Sequence, residues 1–128
     1  MEQGKKTILI IEDSITEQQA LKRMFLDQGF NVICAGSGED GIEKAQSEKP
    51  DIVIIDKILP GIDGFETCKR MKAIDGLETK VIINTGKVAD GDEERAREFG
   101  ADGYSVKAAD FKQLTHTVRT LLDSKDAG

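Results

Sequence analysis

The chain has 128 residues, the length of one domain and enough to bury a core without metals or disulfides. Lys and Arg number 18 against 24 Asp and Glu, a net charge of −6. That balance disfavours direct nucleic-acid binding, where clustered cations must meet phosphates, and also disfavours an anionic membrane surface. In chain order, the first apolar run is Ile8–Ile11, too short for a secretion signal and ended by Glu12-Asp13. A helix is expected over Thr16–Gln28, with Ala20, Leu21, Met24 and Phe25 on one face and Gly29 ending it. Val32–Ala35 is the next strand. Glu39–Ser47 is the next helix, carrying Ile42 and Ala45, and Pro50 bars its extension. Ile52–Ile55 follows as a strand, and Phe65, Cys68 and Met71 mark a third helix. Val81–Ile83 is the fourth strand. Asp92–Phe99 is a polar helix with only Ala96 and Phe99 to bury, closed by Gly100. A weaker strand is read at Gly103–Val106. Phe111, Leu114, Val118, Leu121 and Leu122 then keep a helical period.

The strands are β-branched and continuous rather than alternating, as in a parallel sheet covered on both faces. Strand and helix alternate throughout, so the fold class is α/β, a doubly wound sheet with right-handed crossovers. One domain is expected, with its core at about residues 5–122 and a frayed tail at 123–128. Cys34 and Cys68 lie in apolar patterns without metal-ligand spacing and read as two buried free thiols, which points to the cytoplasm. No stretch reaches transmembrane length.

In such folds ligands bind beyond the carboxyl ends of the strands. Strand one ends in Glu12-Asp13, strand three in Asp56, strand four in Asn84-Thr85-Gly86 and strand five before Lys107. Carboxylates crowded there repel unless a cation relieves them. An oxygen-only set without His or Cys suits Mg²⁺ and not zinc. A metal, a free carboxylate, a lysine and a hydroxyl together suggest phosphoryl transfer. Asp56 would be the nucleophile, Lys107 a neutralising charge and Thr85 a hydrogen-bond donor.

At this point the chain resembles the receiver domain of bacterial two-component response regulators, CheY-like, over about Lys5 to Leu122. The acidic pair matches Glu12-Asp13. The phosphoacceptor motif matches Asp56-Lys57-Ile58-Leu59-Pro60-Gly61-Ile62-Asp63-Gly64. The hydroxyl after strand four matches Thr85, and Gly100-Ala101-Asp102-Gly103-Tyr104-Ser105-Val106-Lys107 matches the last motif. The resemblance implies a five-stranded parallel sheet in the order 2-1-3-4-5 with five helices, a flavodoxin-like three-layer sandwich. It implies a stand-alone switch that accepts a phosphoryl group on Asp56 from a sensor histidine kinase or phosphotransfer protein. Mg²⁺ would be held by Asp13, Asp56 and the Ile58 carbonyl, with Glu12 acting through water. Thr85, Lys107 and the backbone N–H groups of Lys57 and Gly86 would contact the phosphoryl group. Thr85 and Tyr104 would move as the switch. Such a protein is no enzyme beyond its own phosphorylation and dephosphorylation. Its output would be a downstream protein effector, with no direct nucleic-acid or membrane contact, and it would act as a monomer or a phosphorylation-dependent homodimer.

The chain departs from the family pattern in places. Ala108 stands where the family carries a proline joined by a cis peptide. A cis non-proline bond costs about 3 kcal/mol, so a trans, re-routed loop is expected. Gly86 replaces the common alanine. Lys57 and Lys87 add charge that reads as exposed and inert, and the bulky Ile58 predicts slow self-dephosphorylation. Asp13 competes with Ser14 to cap the first helix. Tyr104 reads equally as a switch or as an aromatic packed on an edge strand. Asp90, Asp92, Glu93 and Glu94 read as acids favouring a helix N-terminus. His116 lies off the apolar face and is assigned no function. The alternative function is a pseudo-receiver, a phosphorylation-independent interaction module. An FMN carrier is disfavoured because Glu12 and Asp13 would repel its phosphate, and a haloacid dehalogenase-type phosphatase would need Asp where Ile58 stands.

Overall fold

The computed structural model describes residues 4–108 and 111–127, with side chains described as far as Asp123. The expected tail at 123–128 therefore lies largely outside the described side chains. Ten elements alternate without exception: β1 (Thr7–Ile11), α1 (Ile15–Asp27), β2 (Asn31–Ala35), α2 (Gly38–Glu48), β3 (Ile52–Asp56), α3 (Gly64–Lys72), β4 (Lys80–Thr85), α4 (Asp92–Glu98), β5 (Gly103–Val106) and α5 (Lys112–Ala127). All pairings are parallel, and the strand order is β2-β1-β3-β4-β5. Alternation along each strand sends side chains to opposite faces and so makes two cores. Leu9, Ile11, Val53, Ile55, Val81 and Ile83 pack with Cys68, Met71 and Ala96 under α2, α3 and α4. Ile8, Ile10, Ile52, Ile54 and Ile82 pack with Leu21, Phe25, Leu114 and Val118 under α1 and α5. The central strands are hydrophobic on both faces because both are covered.

Two expectations about burial need correction. Ala20 is exposed, and Gln18 is buried in α1 alongside Leu21 and Phe25. The Gln18 amide earns that place by donating to the Glu12 carbonyl at 2.9 Å and the Ala35 carbonyl at 3.3 Å, so the helix is rotated to satisfy the ends of β1 and β2. Cys68 is buried but Cys34 is only half-buried, because β2 is an edge strand covered incompletely. Burial pushes both thiols up, Cys68 to about 12, so neither is poised as a nucleophile.

Candidate phosphoryl-transfer site

The register brings the polar ends of the strands together. Asp56 pairs with Asn84, and Asn84 with Ser105, so one residue from each of β3, β4 and β5 stands in a row at the carboxyl edge. These positions share the α1 and α5 side with Ile54 and Ile82, two residues earlier on β3 and β4. The loop after β3 is held by a close approach. The Gly64 N–H donates to the Lys57 carbonyl at 2.9 Å, and a Cβ at Gly64 would come within 2.3 Å of the Asp56 carbonyl oxygen. Only glycine allows α3 to start that close to the acidic strand end. Asp63 caps α3, accepting from Glu66 N–H at 2.8 Å. Ser14, not Asp13, caps α1, so the Asp13 carboxylate is free for other work.

Glu12, Asp13 and Asp56 each offer a carboxylate oxygen, and these oxygens all lie within 4.8 Å of one another. They open into a cleft of about 390 Å³ that Ser14, Glu17, Ile58, Thr85, Gly86, Lys87 and Lys107 also line. Glu12 is buried, Asp56 is partly buried and Asp13 is exposed. Lys107 reaches in from beyond β5. Its Nζ lies 2.9 Å from Glu12 Oε1 and 3.5 Å from Asp56 Oδ2, and it also pairs with Glu17. Burial pushes the Glu12 carboxyl up and the bond with Glu17 adds to this. Lys107 and the Ser14 N–H oppose it, leaving Glu12 at about 7. Glu17 is lowered, first by its bond with Glu12 and then by Lys107. Burial alone would lower the Lys107 ammonium, but Glu17, Glu12 and Asp56 outweigh it and hold the ammonium well above its ordinary value. The donors fit a hard divalent cation: three carboxylates, with no imidazole or thiolate among them.

Thr85 is buried at the end of β4, its hydroxyl donating to the Lys87 carbonyl at 3.1 Å and accepting from the Lys87 N–H at 3.0 Å. Gly86 follows it in the cleft wall beside the Lys107 stem. Ile58 stands 55% exposed at the rim, its N–H donating to Asp56 Oδ1 at 3.4 Å. The described chain has no cis peptide bond, so Lys107-Ala108 is trans. Tyr104 is partly buried and packs against the α2, α3 and α4 core. His116 is exposed.

The expectation for Lys57 is corrected. Its side chain is only 13% exposed and is not inert: Nζ lies 2.7 Å from Asp92 Oδ2 and also donates to the Lys87 carbonyl. Asp92 is likewise more than a helix-end acid. Its side chain is 8% exposed, and Oδ2 also accepts from the Ala89 N–H at 3.0 Å and the Tyr104 hydroxyl at 3.5 Å. Burial would raise the Asp92 carboxyl, but Lys57 and the Ala89 N–H hold it below its ordinary range. Burial and Asp92 together push the Tyr104 hydroxyl up. Nothing in the sequence pattern marks Glu17 or Asp92 as part of the site. Glu17 reads as an exposed helical acid, and only the fold brings Lys57 to a residue 35 positions away.

Residues 8–119 match the family described as Response regulator receiver domain. The chain belongs to the response regulator receiver domain family. Among curated relatives, this receiver is 35% identical over 116 residues to Protein PilH of Pseudomonas aeruginosa, covering 90% of this chain and 96% of that one. It is 38% identical to the transcriptional regulatory protein AfsQ1 of Streptomyces coelicolor, covering 91% of this chain but 51% of AfsQ1. The receiver thus spans about half the length of several curated relatives and nearly all of PilH. Among solved structures, Vibrio cholerae chemotaxis protein CheY4 superposes with a TM-score of 0.85 at 25% identity, covering 92% of this chain and 99% of that one. Response regulator TrrA of Thermotoga maritima, in complex with Mg²⁺-BeF, gives 0.82 at 28%, covering 91% and 98%. The five-stranded order and the receiver resemblance expected from the motifs are both borne out. Among the described residues no helix is long and apolar enough to cross a membrane.

Proposed function

We propose that this receiver accepts a phosphoryl group on Asp56 from the phosphohistidine of a sensor histidine kinase or a phosphotransfer protein, and signals to a protein effector by a conformational switch. The observation that carries this reading is the acidic cluster with its lysine: three carboxylates within 4.8 Å and Lys107 Nζ 3.5 Å from Asp56 Oδ2. A carboxylate oxygen of Asp56 attacks phosphorus, the phosphorus–nitrogen bond breaks, and a proton returns to the imidazole of the donor. Asp13, Asp56 and the Ile58 carbonyl would hold Mg²⁺, with Glu12 acting through water. When bound, that ion supplies neutralising charge beside the transferring oxygens. Lys107 remains an ammonium throughout, because its carboxylate neighbours hold its proton, and it turns from them to the new phosphoryl oxygens. Thr85 gives up its bonds to Lys87 and donates to the same group. The N–H groups of Lys57, next to Asp56, and of Gly86, next to Thr85, would complete the donor set. Ile58 at the rim limits the approach of hydrolytic water.

That TrrA, a relative of the same fold, was solved in complex with Mg²⁺-BeF supports the reading that a divalent cation and a phosphoryl-like group bind a receiver of this kind. The match to nearly all of PilH shows that a relative consists of little more than this domain, and the reading here is likewise a stand-alone receiver whose output is protein contact, as a monomer or as a dimer formed on phosphorylation. Incubation with acetyl phosphate and Mg²⁺ tests the chemistry. The intact mass should rise by one phosphoryl group in the wild type and remain unchanged in Asp56→Asn or without the metal. A wild-type mass that does not change would identify instead a phosphorylation-independent interaction module. Phosphotransfer profiling against candidate kinases then names the donor.

A further inference from the structure

The two residues proposed for the switch, Thr85 and Tyr104, share no hydrogen bond, yet both connect to one pair of side chains, Lys57 and Asp92: Tyr104 directly and Thr85 by way of the Lys87 backbone. Thr85 is bound to Lys87 through both its donor and its acceptor. The Lys87 carbonyl also accepts from Lys57 Nζ. The same ammonium lies 2.7 Å from Asp92 Oδ2, and that oxygen accepts from Tyr104 at 3.5 Å. The chain of contacts therefore runs Thr85, Lys87, Lys57, Asp92, Tyr104. Lys57 is the residue next to Asp56, and Asp92 opens α4. A nearly buried ion pair thus ties the loop after β3 to the loop after β4, to the first turn of α4 and to β5.

We infer that Lys57 and Asp92 form a latch for the resting state, holding Thr85 and Tyr104 together in their unphosphorylated positions. The inference rests on the receiver reading above and goes beyond it, since it assigns Asp92 and the Lys57 side chain as positioning residues for the switch. The physical basis is competition. Thr85 cannot donate to a phosphoryl group and to the Lys87 carbonyl with the same proton. Once Thr85 leaves, the loop that carries the Lys87 carbonyl is free to move away from Lys57. Asp92 then loses part of what holds it, and Tyr104 loses its anchor. A buried ion pair broken on one side is costly, so the latch favours an all-or-none change over a graded one. Weakening the latch moves the resting population toward the active arrangement, and a ligand selective for that arrangement then binds more tightly.

Tyr104 supplies the readout, because the chain has one tyrosine and no tryptophan. Beryllofluoride with Mg²⁺ serves as the probe, followed by tyrosine fluorescence and by the ring signals of Tyr104 in NMR. In wild type, binding should change both. In Asp92→Asn, Tyr104 in the free protein should already be displaced toward its beryllofluoride-bound signal, and the probe should bind roughly threefold to tenfold more tightly. Lys57→Met, tested in parallel, should displace the free-state Tyr104 signal in the same direction. Lys57→Arg, which keeps the cation, should restore wild-type signals. Free-state Tyr104 signals and probe affinities that match wild type in Asp92→Asn overturn the latch. Should that variant fail to fold, an unmoved Tyr104 signal in Lys57→Met overturns it equally. Failure of the wild type itself to bind the probe overturns the phosphoacceptor reading, and the latch with it.

Discussion

Ile58 and Asp92 show how single side chains set the behaviour of the site. Ile58 places a branched apolar group, 55% exposed, at the rim of the cleft beside Asp56. It can neither orient a water molecule nor hydrogen-bond to one. Replacing it with Asn should speed loss of the phosphoryl group several-fold, measured as decay of the phosphorylated mass after acetyl phosphate is removed. An unchanged rate would show that Ile58 does not control water access. Asp92 carries a pH signature. Its carboxyl, despite burial, is held below the ordinary value of 3.8 by Lys57 and the Ala89 N–H. A carboxyl lowered in the folded state adds stability that is present above the unfolded value and is lost as pH falls through the folded value. Wild type should therefore lose stability toward acid faster than Asp92→Asn as pH falls through the ordinary carboxylate range and below it. The check is a series of urea unfolding midpoints, and parallel acid limbs would contradict the assignment. The acidic cluster could be read in the sequence because each member stands directly at the end of an apolar strand, as with Asp56 after Ile52–Ile55. The Lys57–Asp92 pair could not, because neither residue sits in a periodic pattern and only the packing of two loops joins them.

At the scale of elements, α4 differs from its neighbours. It has seven residues, its N-cap is Gly91 in a left-handed conformation without a capping side chain, and it buries only Asp92 and Ala96. By contrast α1, α2 and α3 carry Ser14, Ser37 and Asp63 as side-chain caps. A glycine in place of a capping side chain costs only a few tenths of a kcal/mol, so the larger effect is length: helices this short hold together mainly by packing. Arg95 partly compensates by lying over the Phe65 ring at 4.7 Å and the Phe99 ring at 5.5 Å. Backbone amides of α4 should therefore exchange with solvent sooner than those of α1, α2 or α3, as measured by native-state hydrogen exchange. Equal protection would mean that the aromatic stack and the Lys57 bond replace the cap in full. The elements themselves were well marked in the sequence. Continuous β-branched runs named the strands, and Gly29, Pro50 and Gly100 named the stops. The rotation of α1 was not marked, because burial of Gln18 depends on two carbonyls at the ends of other strands, and no periodicity of apolar residues reports that.

At the scale of the whole molecule, the acid excess of six charges matters chiefly where three carboxylates meet. Lys107 is the cation nearest them, and it is divided among Glu12, Glu17 and Asp56. Lys107 therefore relieves the repulsion at the edge where β1 and β3 end only in part, and a divalent cation would relieve the rest. A ligand that binds only the folded chain stabilises it by an amount that grows with the logarithm of ligand concentration above its Kd. Mg²⁺ should thus raise the thermal midpoint of wild type steadily with concentration, while Na⁺ at matched ionic strength should not. Asp13→Asn separates repulsion from coordination. Asp13 is exposed and does not cap α1, so its loss disturbs little packing and removes one repelling charge. Without Mg²⁺ the variant should unfold at the same temperature as wild type or higher. With saturating Mg²⁺ the order should reverse, because the wild type gains the metal's stabilisation and the variant gains little. Crossing of the two melting curves, recorded by far-ultraviolet circular dichroism as Mg²⁺ is added, is the expected result. Parallel gains in both proteins would show that the ion acts by general screening and that Asp13 is not a ligand.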